Sequence, residues 1–337
     1  MVNDRSGPGR SYITAAKIKP PVGIFVLGMH RSGTSLVTSL LHEYGFGFDG
    51  PHLPPQPDNP LGFWEHQEIV EIHDDFLQRL GRTWGDPRPF HPDEFDGKAA
   101  YWARERLREV LDRDFLSRPL WVLKDPRTAR LGPLWKPILD TEGLNPKFLI
   151  VVRSPIAVER SVARREDFST HKTLLLWLRH YIEAEAWTRG AQRSWVLFED
   201  IFRDLRGVID GALRRLEFDD RQFSVKQAAL DAILDPKLVH HNSEGDLKSE
   251  LWSANPWVVS VWEALKMMTA GQEKDAVSQI DKVRNSIGVA DDLMNSDPSV
   301  WDVDVLRHRL KAVISSRKKL VNSSESGIPT EECSRSR

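Results

Sequence analysis

Residues Gly28-Met-His-Arg-Ser-Gly-Thr-Ser35 combine two glycines five positions apart with one arginine and three hydroxyl side chains. They follow a short apolar run, Val22-Gly-Ile-Phe-Val-Leu27, and precede Leu36, Val37, Leu40 and Leu41 at helical spacing. A glycine-bounded loop between a strand and a helix can turn its backbone N–H groups inward, and the helix N-terminus adds positive potential. Such a loop suits a phosphate or a related oxyanion. The ATP- and GTP-binding version carries lysine directly after the second glycine. Thr34 stands there instead, and the positive charge sits earlier, at Arg31. The planar fork of Arg31 suits a bound oxyanion. Gly28 and Gly33, with Arg31, Ser32, Thr34 and Ser35, form the first candidate anion site. The same glycine spacing also fits a plain turn.

A second cluster lies in Val151-Val-Arg-Ser-Pro-Ile-Ala-Val-Glu-Arg-Ser161. Arg153 directly follows an apolar strand-length run, and Ser161 lies just over two helical turns further on. An arginine at a strand end and a hydroxyl on the next helix can grip one phosphate, since ligands of parallel sheets sit beyond the C-terminal strand ends. Arg160, Arg164 and Arg165 read as a solvated basic helix face.

Together these two segments resemble the sulfotransferases that use 3′-phosphoadenosine 5′-phosphosulfate. Asp58-Asn-Pro-Leu-Gly-Phe-Trp-Glu65 and Leu123-Lys-Asp-Pro-Arg127 look like segments of the bacterial, carbohydrate-type and tyrosylprotein-type branches. Phe198-Glu-Asp200 resembles that family's tyrosine-glutamate segment, with phenylalanine in place of tyrosine. The resemblance covers about residues 21–245. It implies a sulfuryl transfer to a hydroxyl or amine, with that nucleotide as co-substrate and no metal. Arg31 would then face the bridging and sulfuryl oxygens. Ser32, Gly33, Thr34 and Ser35 would cradle the 5′-phosphate, and Arg153 with Ser161 the 3′-phosphate. Lys124 would neutralise charge on the leaving oxygen, and Glu65, read as opening a helix, would serve as base. His30 and His66 are alternates because histidine titrates near neutral pH. Asp125 reads as structural. Trp64 and Trp84 flank the stretch where an acceptor fits, although core packing is the commoner use of such rings. A late arginine-lysine-glycine segment found in many members is missing, with Lys248 or a residue near His240-His241 as the candidate substitute.

The elements that hold these residues follow from periodicity. Short apolar runs at 22–27, 120–123, 148–152 and 195–198 predict four buried strands. Helical stripes follow them: Ile69, Ile72, Phe76 and Leu80; a helix begun by Pro155 with Ala157, Val158 and Val162; Leu174, Leu178 and Tyr181. One further helix carries Ile201, Leu205, Val208 and Ala212. Residues 46–62, rich in proline and glycine, predict a long loop. The alternation predicts an α/β fold, a P-loop-like three-layer sandwich with a central parallel sheet. Beyond 245 only helical stripes remain (Val258, Val261, Trp262 and Leu265; Val277, Ile280, Val283 and Ile287; Leu306, Leu310 and Val313). The expected layout is a flexible segment 1–20, an α/β domain 21–245, a helical extension 246–320 and a disordered tail 321–337.

Composition excludes other classes. The chain has 337 residues, a net charge of −2 and a single cysteine, Cys333. One cysteine makes no internal disulfide and no cysteine-rich zinc module. The near-neutral charge without a long basic run argues against nucleic acid as partner. No apolar stretch reaches membrane-spanning length, and residues 1–20 lack a signal peptide's apolar core. The expectation is a cytoplasmic enzyme acting on a small-molecule or glycan acceptor, a glycolipid included, with oligomeric state open. The alternatives are a P-loop kinase or nucleotide triphosphatase, and a non-catalytic nucleotide-binding protein.

Overall fold

The structure is a computed structural model that describes residues 21–56, 59, 62–219, 223, 225–233 and 255–294. Four strands, β1 (Val22–Leu27), β2 (Leu120–Lys124), β3 (Lys147–Val152) and β4 (Arg193–Leu197), form one all-parallel sheet in the order β2-β1-β3-β4. Each has an apolar centre because both faces are covered, with polar residues only at strand ends, as at Lys124, Lys147 and Arg193-Ser194. Phe25, Leu27, Trp121, Leu123, Phe148, Ile150, Val152 and Trp195 pack into one core, and the alternating Ile24, Val26, Val122, Leu149, Val151 and Val196 into the other.

The second core is closed by α1 (Thr34–Glu43), α7 (Phe198–Ile201), α8 (Leu205–Arg215) and α9 (Gln227–Ile233). The first is closed by α2 (Gln67–Arg79), α3 (Lys98–Asp114), α4 (Gly132–Thr141), α5 (Pro155–Ala163) and α6 (Thr170–Thr188), joined by α10 (Pro256–Thr269) and α11 (Glu273–Met294). The fold is therefore an α/β three-layer arrangement with a helical C-terminal addition. Chain order runs from β1 out to β2 and back across to β3, so the loops after β1 and β3 leave side by side. That is where a doubly wound sheet opens a ligand crevice.

Three local differences from the sequence reading have clear causes. Residues 98–114 form α3, whose buried stripe starts with the small Ala100 and Ala103 and gains large apolar residues only at Leu107, Val110 and Leu111. Residues 132–141 form α4, which holds Pro133 in its first turn and Pro137 inside. The single helix expected after β4 is two helices, because Asp204 caps α8, its Oδ1 accepting from the Gly207 N–H at 2.9 Å.

The C-terminal helices dock on the core. Val258, Val261, Leu265, Ile280 and Ile287 lie in the same cluster as β4 and α6. Their polar rim is tied by Glu185 of α6, fully buried, which meets Arg189 at 2.5 Å, Arg193 at 3.2 Å and Arg284 of α11 at 2.7 Å. Burial alone would raise the Glu185 carboxyl, but these arginines outweigh it and hold it below its ordinary value. Arg179 pairs with Asp291 at 2.5 Å beside them. Residues 1–20, the Leu306 stripe, the 321–337 tail, Lys248 and His240-His241 lie outside the described residues. Among the described residues no helix is long and apolar enough to cross a membrane.

Candidate functional site

The loop after β1 is built by backbone geometry that few residues tolerate. Gly28 has φ 149°, and a Cβ there would stand 2.7 Å from the Val151 carbonyl of β3. Gly33 has φ 90°, and a Cβ there would fall 2.0 Å from the Phe198 ring. Between them Arg31 adopts φ 69°, a left-handed conformation that costs an L-residue energy and recurs at functional sites. The Val37 N–H donates to Gly33 O at 3.1 Å, so α1 starts at once, and no side chain caps its N-terminus. The first turn keeps its donors for another partner.

Tyr181 of α6 sews this loop to β3. Its fully buried hydroxyl lies 2.9 Å from the Val151 carbonyl and 3.0 Å from Ser32 Oγ, and accepts from the Arg153 N–H at 3.3 Å. The sequence marked Tyr181 only as part of a helical stripe. Nothing local signals its role, because Ser32 lies 149 positions away.

The two candidate anion sites meet. Arg31 Nε donates to Ser161 Oγ at 3.0 Å, and Arg153 Nη1 donates to the Arg31 carbonyl at 2.8 Å. The Arg153 guanidinium stacks 4.4 Å from the Phe198 ring centroid. Burial, joined by the charge of Arg31, depresses Arg153 below its ordinary value, with Glu199 opposing. Arg153 Nε, Ser154 Oγ and Glu199 Oε2 are buried without a hydrogen-bond partner among the described residues.

A second group stands at the end of β2. Lys124, 3% exposed, donates from Nζ to Glu65 Oε1 at 2.5 Å, to the Phe63 carbonyl at 2.7 Å and to Ser35 Oγ at 3.0 Å. This brings Glu65, Lys124 and Ser35, in the first turn of α1, into one cluster. Glu65 does not open a helix: α2 begins at Gln67 with His66 as its N-cap, so Glu65 lies in the loop before it, directly after Trp64 at φ 58°. That position lets it turn inward to Lys124. Burial raises the Glu65 carboxyl above its ordinary value, against the pull of Lys124. Arg127 Nη1 stands 3.9 Å from Glu65 Oε2.

Asp125 is fully buried. It accepts from the Arg127 N–H at 2.9 Å, from Arg127 Nη1 at 3.0 Å and from His73 Nδ1 at 2.7 Å. Trp135 Nε1 donates to His73 Nε2 at 3.1 Å, so the His73 proton sits on Nδ1. Burial would raise Asp125, but Arg127 and His73 hold it well below the usual carboxylate range.

The remaining candidates divide. His30 stacks on Trp84 with centroids 4.1 Å apart, and burial, then the charge of Arg127, pushes its pKa well below the ordinary value. Its Nε2 has no hydrogen-bond partner among the described residues. His66 instead faces α3, with Nε2 2.9 Å from Asp114 Oδ2. Trp64 packs on His42, centroids 5.0 Å apart. Among the described residues no group of three or more His, Cys, Asp or Glu side chains could hold a metal.

No family model matches the chain, and no curated protein matches it. Several solved structures are similar to it. The sulfotransferase domain of the Synechococcus PCC 7002 olefin synthase is 19% identical, with 78% of this chain and 95% of that chain covered and a TM-score of 0.38. The sulfotransferase STF1 from Mycobacterium tuberculosis H37Rv is 17% identical, with 75% and 78% covered and a TM-score of 0.37. The sulfotransferase domain from the curacin biosynthetic pathway is 15% identical, with 80% and 98% covered and a TM-score of 0.38.

Proposed function

We propose that this chain is a sulfotransferase that moves a sulfuryl group from 3′-phosphoadenosine 5′-phosphosulfate to an acceptor hydroxyl or amine. The observation that carries the reading is the meeting of two anion sites from distant sequence: Arg31 of the loop after β1 donates to Ser161, and Arg153 after β3 donates to the Arg31 carbonyl. A nucleotide with phosphate groups at both 5′ and 3′ positions requires two such sites at one sheet edge. The loop N–H groups of Gly33, Thr34 and Ser35 would receive the 5′-phosphate, the Ser32 N–H being taken by the Met29 carbonyl at 3.1 Å, and Arg153 with Ser161 would receive the 3′-phosphate. Arg31 joins the two and supplies fixed charge to the phosphosulfate.

The acceptor oxygen attacks sulfur as the sulfur–oxygen bond to the 5′-phosphate breaks, and the electron pair leaves with 3′-phosphoadenosine 5′-phosphate. Negative charge grows on that bridging oxygen. Lys124, already within 3.0 Å of Ser35 Oγ, is the cation suited to neutralise it. The incoming donor competes with Glu65 for Lys124. A Glu65 carboxylate relieved of that partner is free to take the acceptor proton. The raised Glu65 carboxyl moves its basicity toward neutral pH. Glycans, glycolipids and small metabolites are the acceptor classes that suit this chemistry, and a cytoplasmic setting suits the single cysteine.

The test is transfer of isotopically labelled sulfuryl from the donor to a panel of hydroxyl and amine acceptors, with Lys124→Met beside the wild type. The expected result is labelled product from the wild type, reduced on the order of a hundredfold or more in the variant. Phosphoryl transfer from ATP by the wild type, with no label transferred, would contradict the reading.

A further inference from the structure

Phe198 stands between the two anion sites and touches both. Its ring fills the space a Cβ of Gly33 would need, with Cδ2 2.0 Å from that position. The Arg153 guanidinium lies over the same ring, 4.4 Å from its centroid. Phe198 is itself 6% exposed and is braced by Phe202, centroids 5.1 Å apart. Arg153 has no carboxylate within ion-pair distance among the described residues; its guanidinium contacts the aromatic face and the Arg31 carbonyl, with the Glu199 charge acting from further off. A guanidinium fixed by a ring and one carbonyl keeps its remaining donors for a ligand. Its buried and unpartnered Nε is one such donor.

We propose that Phe198 is a positioning and specificity-determining residue: it sets the spacing between the 5′-phosphate loop and Arg153, and so selects nucleotides that carry a 3′-phosphate. This rests on the donor reading above. A ring is needed because only its π face attracts the cation, and a flat group is needed because Gly33 packs against it. A tyrosine preserves both properties. A leucine fills part of the volume but offers no face, which leaves the Gly33 contact and releases Arg153.

The test is calorimetric titration of the full chain with 3′-phosphoadenosine 5′-phosphate and with adenosine 5′-phosphate, read as the ratio of the two affinities. The proteins are the wild type, Phe198→Leu, Phe198→Tyr, Arg153→Ala and the double variant Phe198→Leu with Arg153→Ala. Phe198→Leu is expected to weaken the 3′-phosphorylated nucleotide about tenfold while changing adenosine 5′-phosphate by less than about twofold. Phe198→Tyr should match the wild type, and the double variant should be no weaker than Arg153→Ala alone. Replacing Phe198 by a series of increasingly fluorinated phenylalanines keeps the shape and drains the π face, so it reads the same interaction should Phe198→Leu fail to fold. A stepwise fall in the affinity ratio is expected. Equal weakening of both nucleotides, or a ratio unmoved by fluorination, overturns the role of Phe198. A wild type that binds no 3′-phosphorylated nucleotide instead overturns the donor reading.

Discussion

Lys124 and Glu65 form a buried ion pair whose two halves depend on each other. Removing Lys124 leaves the buried Glu65 carboxylate with only the Arg127 guanidinium, 3.9 Å away, as charge partner, and a broken buried pair costs up to about 3–5 kcal/mol. Lys124→Met is therefore expected to lower stability by about that amount in denaturant melts. Adding Glu65→Gln should recover most of it, because the orphaned charge is gone. A double variant less stable than Lys124→Met would show that the pair is not the source. His180 gives a pH prediction. It is fully buried, and its Nδ1 donates to the Leu176 carbonyl at 2.7 Å. Burial, helped by Arg130, brings its pKa down to about 3. An unfolded histidine binds its proton near pH 6.5. Between these values the unfolded chain holds a proton the folded chain refuses, so stability is full above about pH 6.5 and falls as pH drops toward about 3. His180→Gln should flatten this decline by at most about 1.4 kcal/mol per pH unit. An identical slope in wild type and variant would contradict the assignment.

The turn from β1 into α1 is where an element's geometry is least forgiving. Gly33→Ala meets a left-handed φ of 90° and the Phe198 ring together. The expected outcome is loss of nucleotide binding with a lowered melting temperature, checked by titration and thermal melting. Unchanged binding would mean the loop is not the anion site. This turn was legible in the sequence because glycine spacing and two flanking apolar patterns agree there. The strands were legible for a related reason: a parallel sheet buried on both faces writes itself as short apolar runs. α3 was less legible, since small alanines at 100 and 103 begin its buried stripe and only Leu107, Val110 and Leu111 near its end are large and apolar. The split between α7 and α8 was hidden because Ile201 and Leu205 keep helical spacing across the break capped by Asp204. Residue types pointed to Arg31, Arg153 and Ser161. The contact between Arg31 and Ser161, 130 positions apart, exists only through the strand order. The same is true of Tyr181, and of the inward turn of Glu65 onto Lys124.

At the scale of the whole molecule, α10 and α11 complete the core on the β4 side. Val258, Val261, Leu265, Ile280 and Ile287 are buried there. Arg284 reaches across to Glu185 on α6, whose neighbour along the same helix, Tyr181, holds the loop after β1. A chain ending at residue 254 is expected to melt at least about 10 °C lower, or without a cooperative transition, when followed by circular dichroism. An unchanged midpoint would show these helices to be an independent addition. The central claim is that two anion sites, one after β1 and one after β3, form a single site for a nucleotide phosphorylated at both the 5′ and 3′ positions. It is tested most directly by calorimetric titration with 3′-phosphoadenosine 5′-phosphate, beside ATP with magnesium, on the wild type and on Arg153→Ala. The account predicts micromolar binding of the 3′-phosphorylated nucleotide without metal, weakened at least about tenfold by the substitution, and little ATP binding. Tight ATP binding with no response to the 3′-phosphorylated nucleotide would contradict it.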